Sequence, residues 1–110
     1  MRILLSVILL LAFTSVAFSD FPSGAATCPS SGRAQVSTTP YNLYQITVQA
    51  LTSNSGVVYV GSSSVTTSSG GGLIAGASYN ANKPSAAINP ADLYFACTVN
   101  TDGVTWIGSR

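Results

Sequence analysis

Val57-Val58-Tyr59-Val60-Gly61 is followed by Ser62-Ser63-Ser64-Val65-Thr66-Thr67, by Gly70-Gly71-Gly72 and by Leu73-Ile74-Ala75-Gly76. The first five residues form a compact β-branched and aromatic run. The next six form a short polar stretch ending in further β-branched residues, and the three glycines admit any backbone angle before the next apolar pair. The stretch reads as a β-hairpin cassette of a small structural module. It offers no proton donor and no metal ligand.

Upstream, Leu43 to Leu51 is the clearest strand of the chain. Tyr44, Ile46, Val48 and Ala50 alternate with Gln45, Thr47 and Gln49, the period of two expected when one face of a strand is buried. A shorter edge strand is expected over residues 33–38, ended by Thr39-Pro40. Downstream, Leu73 to Asn80 is a further strand candidate. Pro90-Ala91-Asp92-Leu93 suits one helical turn with proline in its first position. Leu93 to Val99 is a strongly apolar strand. Asn100-Thr101-Asp102-Gly103 is a turn, and Val104 to Gly108 returns from it as the last strand of a terminal hairpin. The whole predicts an all-β chain, a small antiparallel β-sandwich or open barrel of six to seven short strands.

The N-terminus has the order of a secretory leader: Met1-Arg2, an almost wholly apolar Ile3 to Phe13, then small residues at Ser15, Ala17 and Ser19. Cleavage after Ala17 or after Ser19 satisfies the pattern, and the second is favoured. The expected organisation is therefore a signal peptide over 1–19, an extended arm over 20–32 that is mostly Pro, Gly, Ser and Ala, and a β domain over 33–110. A retained membrane span would need about 20 apolar residues, whereas this run breaks at Thr14-Ser15. Export is expected, to the periplasm, the extracellular space or a cell or particle surface.

Beyond the leader, Arg33, Lys83 and Arg110 balance Asp20, Asp92 and Asp102, while hydroxyls abound as 14 serines and 10 threonines. No cluster of Lys or Arg exists to neutralise phosphates, which argues against nucleic acid and equally against an anionic membrane surface. A surface wetted by hydroxyls and nearly free of charge suits a subunit packed against copies of itself or against neighbours. The two cysteines, Cys28 and Cys97, are expected to pair in an exported chain. They cannot complete a zinc site without a histidine, and the chain has none.

Catalytic chemistry has little to work with. Histidine and glutamate are both absent, which removes the usual general acids and bases. Lys83 and Ser85 flank Pro84, and a Ser-Lys dyad would need a buried lysine. Asp102 has the turn context of Asn-Thr-Asp-Gly but lacks the companion carboxylates of a calcium loop. Asp92 and Asp102 would act on a sugar only if they faced each other across about 5 to 10 Å. No enzyme activity, cofactor or metal is expected. Among the aromatic residues, Trp106, Tyr59 and Tyr79 are the candidate contacts for a ligand or partner. Alternation alone leaves open whether Trp106 points inward or outward.

Val58-Tyr59-Val60-Gly61, Ser64-Val65-Thr66, Gly72-Leu73, Ala75-Gly76 and Leu93-Tyr94 resemble, in order and spacing, a recurrent small β module of tailed-phage virion proteins. The resemblance runs from about residue 44 to residue 107, with Ala75 standing where that pattern has proline. It implies a non-enzymatic accessory, decoration or fibre-type role on a particle, with protein partners engaged through sheets and a tendency to form homo-oligomers. The alternative expectation is a secreted glycan-binding or adhesion module that uses its exposed aromatic rings.

Overall fold

The computed structural model describes residues 21–30, 32–69 and 71–110. The leader expected over 1–19 lies outside the described residues. The strands in chain order are β1 (Ser23–Thr27), β2 (Arg33–Gln35), β3 (Gln45–Ala50), β4 (Val58–Gly61), β5 (Ser78–Asn82), β6 (Tyr94–Cys97) and β7 (Gly103–Ser109), with a 3₁₀ turn at Pro90–Asp92 before β6. They form two antiparallel sheets, a four-stranded one in the order β1-β7-β3-β5 and a three-stranded one in the order β2-β6-β4. The expected all-β sandwich is what the chain forms.

Each successive strand lies in the opposite sheet from the one before it, so none of the strand-to-strand connections is a hairpin. Two expectations are corrected by this. The stretch after Gly61 returns to β4 at Leu73 alone and forms no strand beside it. Instead β4 pairs with β6, placing Tyr59 opposite Ala96, while Leu73 bridges Val58. Likewise β6 and β7 are not a terminal hairpin, because the Asn100–Gly103 segment carries the chain from one sheet to the other. In both cases the competing partner is a distant strand that buries apolar side chains, which a local hairpin at these sites would leave exposed.

The segment expected as an extended arm is extended, but Ser23–Thr27 is integral to the larger sheet, with Ser23 opposite Ile107 and Thr27 opposite Gly103. The β domain therefore includes residues ahead of Arg33. Cys28 follows β1 directly and its disulfide to Cys97 on β6 ties the two sheets together.

Inward-facing residues of both sheets make the core. Ile46, Val48, Ala50, Val104 and Trp106 from the larger sheet pack with Val58 and Phe95 from the smaller, with Val36, Leu43 and Ile88 closing the ends. The alternation read along residues 45–50 matches this arrangement, since Ile46, Val48 and Ala50 are buried. Tyr44 departs from it and is exposed. It lies in a bend before β3, donating its N–H to the Ser109 carbonyl and accepting from the Lys83 N–H, so the strand alternation does not extend to it.

Val65, expected on a strand, sits in the 62–72 loop and is buried. This loop folds over the outer surface of the smaller sheet. The Arg33 guanidinium donates to the Val65 carbonyl at 3.3 Å, and a side-chain carbon built at Gly61 would stand 3.2 Å from Val65. Gly72 completes the cover, because a Cβ there would lie 2.8 Å from the Tyr59 ring. The short VYVG strand is therefore covered on both faces, which explains why it is apolar at every position.

Candidate functional site

The outer face of the four-stranded sheet is built by the positions that alternate with the core. The register aligns Ser23, Ile107, Thr47 and Asn80 in one row, and Ala25, Thr105, Gln49 and Ser78 in the next. Gln45 is flanked by Ser109 and Asn82 in a third. No outward position on these four strands carries an ionisable side chain. Thr47 donates its hydroxyl to the Asn80 amide oxygen at 2.7 Å, and the Gln49 amide donates to the Gly76 carbonyl at 3.1 Å. These bonds hold part of the polar layer flat while leaving amide and hydroxyl groups free to bond outward. Ile107, 51% exposed, stands in the middle of this layer. A shallow depression of about 150 Å³ beside it is lined by Phe21, Gln45 and Thr47.

Among the described residues no strand pairs with the outer side of β1 or of β5. The Cys28 N–H donates to the Asp102 carbonyl and the Gly108 N–H to the Pro22 carbonyl, which fixes the even-numbered residues of β1 as those facing β7. Ser23, Ala25 and Thr27 consequently point their N–H and C=O groups away from the sheet. At the other edge the Ala50 N–H donates to the Ala77 carbonyl. That places Tyr79 and Ala81 toward β3 and leaves Ser78, Asn80 and Asn82 facing outward along the backbone.

The three aromatic residues singled out in the sequence do not converge. Trp106 points inward, is 5% exposed, and packs against Tyr41 with ring centroids 5.8 Å apart. Tyr79 is on β5 opposite Val48, and Val48 is in turn opposite Trp106, so two strand pairings separate them. Tyr79 is 40% exposed because β5 is an edge strand. Tyr59 belongs to the other sheet, half-buried under Gly72. Tyr41, one of the chain's other aromatic residues, is the one that packs against Trp106. It lies outside every strand, where no periodicity marks it, and the Arg110 guanidinium stands 5.8 Å from its ring centre.

The two described aspartates, Asp92 and Asp102, have structural places. Asp102 is buried and accepts through Oδ1 from the Ser55 N–H at 2.9 Å and through Oδ2 from the Gly56 N–H at 2.8 Å. Asp92 is exposed in the first turn of the 3₁₀ segment, whose N-cap is Asn89, accepting from the Ala91 N–H. Lys83 and Ser85 are both exposed. Among the described residues no three His, Cys, Asp or Glu side chains cluster as metal ligands. No protein-family model, curated protein or solved structure matches this chain.

Proposed function

We propose that this protein is a non-enzymatic structural or accessory subunit that assembles with copies of itself or with a larger coat through the four-stranded sheet. A phage-like virion decoration protein and an exported surface-assembly protein both fit this role. The observation that carries the reading is the outer face of that sheet, uncharged at every outward strand position, centred on exposed Ile107 and bordered by two open edges. A face of amides and hydroxyls is its own complement, since each group both donates and accepts. No like charges oppose its approach to a second copy. The free N–H and C=O groups of β1 and β5 add directional pairing to the same contact.

Export is consistent with the Cys28–Cys97 disulfide. No helix among the described residues is long and apolar enough to cross a membrane. The assembly reading is tested by sedimentation velocity on the purified protein across a wide concentration range, alongside Ile107→Lys. Self-association that the lysine abolishes supports it. A wild-type chain that stays monomeric at its highest soluble concentration, and is not retained by the particles or envelopes of its source, overturns it.

A further inference from the structure

A groove of about 260 Å³ runs between the open edge of β1 and the segment after β2, lined by Gly24, Ala25, Ser37, Thr39, Tyr41 and Trp106 among others. It adjoins the outer face of the sheet at Gly24 and Ala25 and extends from there toward Tyr41, which packs against the core. Trp106 is more than nine-tenths buried, yet its indole N–H has no hydrogen-bond partner among the described residues. Trp106 lines the groove, and its indole nitrogen lies against Gly24, where a Cβ would stand 2.8 Å away, so any larger residue there would crowd it.

The remaining groups are of the same chemical kind. Tyr41 presents a half-buried ring tilted 58° to the Trp106 plane. Ala25 turns its free backbone N–H and C=O toward the groove from the β1 edge. Across from it the Ser37 hydroxyl is held by the Thr39 backbone, donating to its carbonyl at 3.0 Å and accepting from its N–H at 3.1 Å. This leaves the exposed Thr39 side chain at the rim. No residue lining the groove is ionisable in the physiological range.

We propose that this groove binds one ring of a neutral sugar, as a unit of an uncharged glycan. The accessible part of the Tyr41 ring takes the apolar side of a pyranose, and the indole N–H, the threonine hydroxyl and the free backbone pair match its hydroxyls, which both donate and accept. The lining itself carries no charged side chain, and the Arg110 guanidinium, 5.8 Å from the Tyr41 ring centre, is engaged with that ring. An added peptide strand would satisfy the Ala25 backbone but leave the indole N–H without a partner, a cost that a hydroxyl avoids.

The chain contains a single tryptophan, so its indole N–H gives one resonance that reports on this groove alone. The ¹⁵N-labelled protein is titrated with maltohexaose, cellohexaose and chitohexaose. The expected result is a saturable shift of the indole peak and of the Ala25 and Thr39 amides with at least one of them. Trp106→Phe, followed through those two amides, weakens binding about tenfold, as expected for one lost hydrogen bond. Thr39→Val, at an exposed position that leaves the core intact, weakens it severalfold, and Lys83→Ala leaves it unchanged. The proposal is overturned if none of the three sugars moves the indole peak, or if glycerol at equal hydroxyl concentration moves it as far. It is equally overturned if Ala25 shifts only with protein concentration, which would assign the groove to a strand of a second copy.

Discussion

Asn54 and Gly103 exchange two hydrogen bonds of 2.9 Å, the side-chain amide of Asn54 donating to the glycine carbonyl and accepting from its N–H. The amide thus acts as a one-residue strand partner for the first residue of β7. The next two residues after Asn54 complete the clamp, since the Ser55 and Gly56 N–H groups both bond the Asp102 carboxylate. The Asp102 carbonyl meanwhile accepts from the Cys28 N–H. A turn of the 51–57 connection, the crossing into β7 and the end of β1 are joined at one place. What reads in the sequence as a hairpin tip is the junction of the two sheets.

Removing either side chain leaves backbone donors without partners in a buried or half-buried site. Asn54→Ala is expected to destabilise the fold by about 1–3 kcal/mol, and Asp102→Ala by about 2–4 kcal/mol because its bonds are charge-assisted. Urea unfolding followed by tryptophan fluorescence measures both. A loss below about 0.5 kcal/mol for Asp102→Ala would mean that water replaces the carboxylate at no cost.

The Cys28–Cys97 bond closes a separation of 69 residues, for which chain entropy gives a stabilisation of about 4 kcal/mol. Under a reducing agent the urea midpoint should fall steeply, and a Cys28→Ala, Cys97→Ala double variant should match the reduced protein. Equal midpoints for oxidised and reduced protein would refute this.

Gly72 lets the 62–72 loop lie against Tyr59. Alanine there is expected to overpack the contact and cost about 1–3 kcal/mol, with the loop becoming the first site of limited proteolysis. An unchanged digestion pattern would show that the loop finds room elsewhere.

Strand pairing throughout is between distant segments, the extreme being Ser23 with Ile107. Such a topology predicts refolding in milliseconds to seconds and not in microseconds, measurable by stopped-flow fluorescence of Trp106 with the disulfide intact. Microsecond folding would mean that local structure carries the transition state.

Ile107→Lys alters an exposed residue and is expected to change stability by less than about 0.5 kcal/mol while dispersing any assembly. A large stability loss without a change in association would place Ile107 in the fold and not in a contact.

The sequence by itself determined the class of this fold. Gln45 to Ala50 alternates because one face is buried and the other is wet, a property each strand carries locally whichever strand lies beside it. The Cys28–Cys97 pairing was equally legible, as were the 3₁₀ turn at Pro90 and the polar layer of Gln45, Thr47 and Gln49. Only the tertiary structure decided which strands are neighbours. Turn residues such as Asp102-Gly103 permit a reversal but do not say whether the chain stays in its sheet, and here the burial of Val104 and Trp106 beside β3 and β1 decided against a hairpin. The same competition placed Val65 over the smaller sheet, Asp102 beneath the Ser55 and Gly56 amides, and Tyr41 against Trp106. Those contacts join residues far apart in sequence, and their energies come from area and hydrogen bonds that exist only once both sheets have met.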